Sequence, residues 1–215
     1  MCKNDCCRSA IVDILLWRLR LITETQLIGL FANKYSPEIV CRALQYLVRK
    51  KTVRRIRLER PVLQLSSPMF CFRPEEETEP EFSQLSWQMR KRLAHPNHEP
   101  HSIYLATEYA EITFGGISGM RQPFQINHDL GTASVFICRY LNSKCSLAWS
   151  EWAGEDVVRR FHRRLGIKKI PDAAILSSCG QLRMAIEFGG RDYSPRYLRK
   201  FHHHWKTRGV GYELW

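Results

Sequence analysis

Two carboxylates, Asp172 and Glu187, stand where their spacing would let them work together. Asp172 opens the apolar run Ala173-Ala174-Ile175-Leu176, and Glu187 closes the run Leu182-Arg183-Met184-Ala185-Ile186. A turn signal at Ser178-Cys179-Gly180 separates them, so the pattern predicts a β-hairpin. In an antiparallel pair the start of one strand lies beside the end of the next, which brings both carboxylates to one rim of a sheet. Oxygen ligands of this kind suit a hard divalent ion, Mg²⁺ or Mn²⁺. Glu151, with Glu155 as its alternative, is the expected third metal ligand from a preceding element. Such an ion can activate water for phosphodiester hydrolysis. Solvated edge carboxylates without a function are the reading that the two residue types alone leave open.

Other chemically capable residues carry less. Cys2, Cys6 and Cys7 cluster, but a tetrahedral zinc site needs a fourth ligand and usually a second ligand pair, so they read as bystander thiols. Cys41, Cys71 and Cys138 sit in apolar-patterned segments, where a reduced cysteine behaves as a small hydrophobe. His95-Pro96-Asn97-His98-Glu99-Pro100-His101 reads as an exposed loop. Neighbours on a helix point about 100° apart, so His202-His203-His204 cannot all chelate one ion. Gly115 to Pro123 is glycine-rich but lacks the Gly-Lys-Ser/Thr ending of a phosphate loop.

Charge is unevenly spread. The 215 residues hold 33 Lys and Arg against 21 Asp and Glu, and residues 1–73 alone hold 14 against 5. Such an asymmetry speaks of polyanionic partners. Within that third of the chain, a helical stripe runs through Ile11, Ile14, Leu15 and Leu19. Thr23 with Gln26 forms a capping-box pattern for a second helix, and Ser36-Pro37 starts a third that runs to about Lys50. Strand-like segments Thr52–Leu58 and Val62–Phe72 follow. Three helices and a two-stranded ribbon are the order of a winged helix-turn-helix, whose third helix can enter the major groove of double-stranded DNA. Arg42, Gln45, Tyr46 and Arg49 on the third helix are then the expected DNA-binding residues, with Lys50, Lys51, Arg54, Arg55 and Arg57 on the wing. A winged helix used for protein contacts, including a homodimer, is the alternative.

The acidic stretch Pro74 to Glu81 suits a solvated linker. The expected domains are thus residues 1–73, a linker at 74–82, and a mixed sheet flanked by helices over 83–215. The chain is to be of the α+β or α/β class. Apolar residues make up 44% and charged residues 25%, which argues against a disordered chain. No apolar run approaches the roughly 20 residues of a membrane-spanning helix. The expectation is a soluble, cytoplasmic protein without membrane partners.

Pro171-Asp172 and Glu187-Phe188-Gly189 together resemble the two half-motifs of the PD-(D/E)xK nuclease superfamily. More narrowly, the chain resembles the replication-relaxation family, in which an N-terminal winged helix precedes a nuclease-like domain. The likeness is carried by Thr23-Glu24-Thr25-Gln26-Leu27, Ile103-Tyr104-Leu105-Ala106-Thr107, Asn127-His128-Asp129-Leu130, Trp149-Ser150-Glu151, Ile170-Pro171-Asp172-Ala173 and Ala185-Ile186-Glu187, with Lys200 on a following helix. The resemblance implies a double-stranded DNA-binding protein of plasmid or phage type, acting in replication, mobile-element or transcription control. It also implies catalytic roles for Asp172 and Glu187. Where the superfamily pattern has lysine, two residues after the glutamate, this chain has Gly189. Arg191 or Lys200 would have to supply the missing charge, and the domain is expected to be divergent or inactive. An active Mg²⁺- or Mn²⁺-dependent endonuclease is the alternative.

Overall fold

The computed structural model describes residues 3–76, 78–94, 98–119, 122–142, 149–162 and 164–215. Among them are eight α-helices and two sheets, of three and five strands, so the fold is mixed α+β. The chain divides into two compact units, 1–64 with 98–149 and 65–97 with 150–215.

The first unit opens with α1 (Lys3–Asp13), which continues into a π-helical turn over Ile14–Arg18. After the short β1 (Ile22–Thr23), Thr23 caps α2 (Glu24–Phe31). The Gln26 N–H donates to Thr23 Oγ1 at 3.1 Å and the Thr23 N–H to Gln26 Oε1 at 3.0 Å. These reciprocal bonds satisfy donors that a helix start otherwise leaves open. α3 (Pro37–Arg49) has proline where a missing N–H costs nothing, and it buries Val40, Ala43, Leu44 and Leu47. Lys51 turns the chain from α3 into β2 (Val53–Arg60) with φ at 56°, a left-handed conformation unusual for lysine.

Residues 62–72 do not supply the partner of β2. β3 (Phe70–Phe72) joins the sheet of the second unit, and α4 (Phe82–Arg92) follows it there. β4 (Glu99–Ala106) then pairs antiparallel with the whole of β2, Val53 opposite Ala106 and Arg60 opposite Glu99. The reason lies in donors and burial. Pro61 and Pro68 take ladder donors out of the nearer segment; β4 has a proline too, Pro100 near its start, but its Ile103 to Ala106 are four consecutive buried residues. β4 also pairs with β1, giving the strand order β1-β4-β2. α5 (Glu108–Phe114) and α6 (Ile126–Asn142) complete this unit. Ile126 and Leu130 of α6 pack on Leu21, Ile103 and Leu105. Asp129, in the Asn127-His128-Asp129-Leu130 stretch, accepts from Arg20 at 3.1 Å.

The second unit adds β5 (Trp152–Gly154), α7 (Glu155–Phe161), β6 (Ala173–Leu176), β7 (Leu182–Glu187), α8 (Pro195–Lys206) and β8 (Gly211–Leu214). Its strand order is β3-β8-β7-β6-β5. β8 lies between β3 and β7, parallel to β7. All four of its residues are buried, as an interior strand covered on both faces requires. α4 and α8 pack on one face of the sheet, where Phe82, Leu85, Met89, Leu198, Phe201 and Trp205 meet Ala174, Ala185 and Tyr212. The acidic stretch before α4 therefore connects two elements of the second unit, β3 and α4, instead of separating two domains. No helix among the described residues is long and apolar enough to cross a membrane.

Candidate functional site

The β6–β7 hairpin forms in the expected register, with Ala173 opposite Ile186. One step further, Asp172 and Glu187 face each other at the same rim. Asp172 Oδ2 accepts from the Phe188 N–H at 2.8 Å, which closes the end of the ladder. Glu187 is 3% exposed. Two hydroxyls converge on one of its oxygens: Tyr193 donates to Oε1 at 2.8 Å and Tyr197 at 2.9 Å. The other oxygen, Oε2, is buried and has no hydrogen-bond partner. Burial and the Asp172 charge push the Glu187 carboxyl up to about 8, against the pull of Lys169 and the two tyrosines. Burial and the Glu187 charge likewise hold both tyrosine hydroxyls well above their ordinary range.

Lys169 is the residue the sequence did not reveal. It lies on the loop before β6, half-buried, with its ammonium 3.9 Å from the Tyr197 ring centroid and 4.3 Å from that of Phe201. Burial lowers its pKa, opposed by the charges of Glu187 and Asp172. No motif spacing marks it. The available signal was a lysine inside the half-apolar run Ile167-Lys168-Lys169-Ile170, close ahead of the carboxylate strand.

The expected substitutes for the missing lysine lie elsewhere. Arg191 donates to the Leu93 carbonyl, at 2.9 Å from Nε, and to Ala94, beyond the end of α4. Lys200 is exposed on α8, and the charges acting on Glu187 are those of Asp172 and Lys169. At Gly189 there is no room for a side chain, since a Cβ would stand 2.4 Å from Sδ of the buried Met89. Arg92 pins this segment, donating to the carbonyls of Gly189 at 3.0 Å and Trp215 at 2.8 Å, and burial lowers its pKa to about 10.

Glu151 does not join the carboxylates. Trp152 pairs with Ile175 and Gly154 with Ala173, so Glu151 falls at the Leu176 end of β6, about 13 Å along the sheet from Asp172. Glu155 is the acid at the Asp172 end, and it is ion-paired with Arg159. No group of three or more His, Cys, Asp or Glu side chains able to hold a metal occurs among the described residues. Mg²⁺, however, is often bound through one or two carboxylates and completes its shell with water and substrate phosphates. Asp172 and the unpartnered Oε2 of Glu187 fit that smaller requirement.

On the first unit, Arg42, Gln45, Arg49 and Lys50 are exposed along and just beyond α3, as are Lys51, Arg54, Arg55 and Arg57 at the start of β2. Tyr46 is half-buried, with the Arg8 guanidinium 3.7 Å from its ring centroid. Arg8, on α1, is also ion-paired with Asp5 at 3.0 Å. Arg55 donates to Ser102 Oγ of β4 at 3.2 Å, and Arg42 donates to the Glu38 carbonyl at 3.3 Å.

The histidine run is dispersed, as helix geometry demands. His202 is buried with Nδ1 2.7 Å from the Tyr212 hydroxyl, His203 is exposed, and His204 lies against Trp205. Cys6 and Cys7 are free thiols on α1. Cys2 and His95 to Asn97 lie outside the described residues.

Comparison with protein-family models, curated proteins and solved structures finds no match for this chain. The resemblance to the replication-relaxation family therefore rests on the chain's own motifs.

Proposed function

We propose that this protein binds double-stranded DNA, with the first unit acting as a winged helix and the second as a divergent nuclease-like unit of the replication-relaxation type. The observation that carries this reading is the exposure of eight polar and cationic side chains on α3, its following turn and β2. The strand order β1-β4-β2, with β2 directly after α3, supports it. In a winged helix the third helix lies in the major groove, about 12 Å wide, which accommodates a helix of about 10–12 Å diameter. The wing then lies along phosphates. Here the two wing strands, β2 and β4, are joined by a connection long enough to include β3 and α4 of the other unit. A role in replication, mobile-element or transcription control follows from the family resemblance.

The test is duplex binding across a salt series, with Arg42, Arg49, Arg54 and Arg55 neutralised together. Each phosphate that is no longer paired with a cation lowers the slope of log K against log salt by roughly 0.9. A reduction of about two to four is expected, and an unchanged slope and affinity would sink the reading.

A second reading, a metal-dependent endonuclease, is favoured by the bare Oε2 of Glu187 and by the charge of Lys169, which favours the ionised carboxylate. Asp172 and Glu187 would hold Mg²⁺ or Mn²⁺, which supplies activation of water and charge neutralisation at a phosphate when bound. Tyr193 and Tyr197 would orient Glu187, while Lys169 would offset charge developing on the phosphate. Nicking of supercoiled plasmid in Mn²⁺ is expected to disappear in Asp172→Ala, Glu187→Ala and Lys169→Met. Cleavage indifferent to all three, or absent in the unaltered protein, rejects this reading.

A further inference from the structure

The outward faces of α4 and α8 are cationic without compensation. On α8, Arg196, Arg199, Lys200, His203 and Lys206 are exposed, at the three- and four-residue spacings that make one helix face. The opposite face, with Leu198, Phe201 and Trp205, is spent on the core. α4, packed on the same sheet, exposes Trp87, Arg90 and Lys91. Neither helix contains an aspartate or a glutamate. Among the described residues, none of these six lysines and arginines has an ion-pair partner. Asp192, exposed ahead of α8, makes no ion pair with these cations, and two further acids near α4 in sequence are engaged elsewhere. Glu81 caps α4 by accepting from the Ser83 and Gln84 N–H groups, and Glu79 acts on the buried His202. Trp87 is 55% exposed, with the Lys91 ammonium 4.9 Å from its ring centroid.

We infer that the α4–α8 face of the second unit is a separate nucleic-acid-binding surface, taking a phosphate backbone along α8 and an unpaired base at Trp87. Six unpaired cations repel one another, and a polyanion relieves that repulsion while releasing its own counterions. The dimensions agree. Arg196 to Lys206 spans about 15 Å of helix axis, roughly four nucleotide steps of one strand. Exposed aromatic rings beside cations are the stacking platforms on which single strands bind. An anionic lipid surface would need bulky apolar side chains on the outward face, and α8 has none there. The inference shares its ligand class with the function proposed above but none of its residues.

The experiment uses the full chain and fluorescence anisotropy with a labelled duplex of about 20 base pairs and an oligothymidylate of similar length. One variant carries Arg196→Gln, Arg199→Gln, Lys200→Gln and Lys206→Gln, another carries Trp87→Ala, and a third has the α3 and β2 arginines neutralised. All altered side chains except the β2 and α3 controls belong to the face in question, and all are exposed, so thermal melts should stay close to the unaltered protein. The α8 variant should drop by about two to four in salt slope, and at least tenfold in affinity near 0.1 M salt. It should do so in the α3-neutralised background as well. Trp87→Ala should weaken the single strand about tenfold and the duplex far less. An α8 variant indistinguishable from the unaltered protein overturns the inference and leaves the winged-helix reading standing. Loss confined to the α8 variant, with the α3 set silent, has the opposite consequence. Loss of binding to phosphatidylserine vesicles with nucleic-acid affinity intact overturns it in favour of a lipid surface.

Discussion

At the scale of single residues, the second unit is organised around a charge it cannot easily hold. Glu187 is buried beside Asp172, and the nearest cation is Lys169, which burial itself disfavours. Two hydroxyls and one ammonium make the arrangement tolerable. Among the described residues no ion pair joins Lys169 to Glu187, so the ammonium acts on the carboxylate through space, and only once the carboxyl is ionised. Lys169→Met should therefore destabilise the protein in urea unfolding at pH 9, where Glu187 is ionised, by about 1 kcal/mol, and by much less in a Glu187→Gln background. Equal penalties in both backgrounds would mean that the ammonium does not serve Glu187. His202 offers a second residue-level test. Burial lowers its pKa from 6.5, with the Lys206 and His203 charges adding and Glu79 opposing. Its Nδ1 meets the Tyr212 hydroxyl at 2.7 Å, and the rings of Phe72 and Phe82 stand edge-on to it. The folded state thus favours the neutral ring, whereas the unfolded chain protonates near 6.5. This contribution is complete above pH 6.5 and is lost as pH falls below it, through the folded pKa. Melting temperatures between pH 7.5 and 5 should fall less steeply in His202→Gln, which keeps an acceptor for Tyr212. Parallel curves would assign the acid sensitivity to the carboxylates instead.

At the scale of elements, legibility tracks how local the determining interaction is. α2, α3 and α8 could be read because Thr23 with Gln26, Ser36-Pro37 and Ser194-Pro195 fix their starts within a few residues. The β6–β7 hairpin could be read because turn and strands are contiguous, and with it came the meeting of Asp172 and Glu187. Strand partners chosen at long range were not legible. β2 joins β4 across the whole of β3 and α4, and the interior place of β8 depends on β3, far away in sequence. Lys169 was invisible for the same reason, since only the folded loop brings it to the carboxylates. Gly189 illustrates the converse. The sequence suggested a lost lysine, but the space for any side chain there is filled by Met89. Gly189→Ala should cost about 1–3 kcal/mol by overpacking, and Gly189→Lys should destabilise the unit further without conferring nuclease activity. The Gly189→Ala penalty should shrink in a Met89→Ala background, where Sδ and Cε are gone. An undiminished penalty would locate the strain in the backbone, where the Gly189 N–H donates to Trp215 at 2.9 Å.

At the scale of the whole molecule, the chain leaves each unit and returns to it, and this interleaving determines what can fold alone. Residues 1–73 contain the three helices and β2 that charge and periodicity single out. They lack β4, which supplies the central strand of the β1-β4-β2 sheet and the buried residues Ile103, Tyr104, Leu105 and Ala106. Without it, every backbone group that β2 presents to β4 over Val53–Arg60 is left without its partner, and Leu21 loses Ile103, Leu105, Ile126 and Leu130, all the other buried residues of the cluster it packs in. Thr107, just past β4, also holds the turn after α3, donating from Oγ1 to the Lys51 carbonyl at 2.6 Å. A left-handed lysine is costly, and that bond is one of its supports. A fragment of residues 1–73 should therefore show helical circular dichroism but no cooperative melt, because isolated helices gain most of their stability from tertiary packing. Joining 1–64 to 98–149 through a short flexible linker restores β4 and every element of the first unit, and that chain should melt cooperatively and, on the function proposed above, bind duplex in a salt-sensitive way. Cooperative unfolding of the 1–73 fragment would show that the third strand is dispensable, and that the first unit is the contiguous domain its charge pattern suggests.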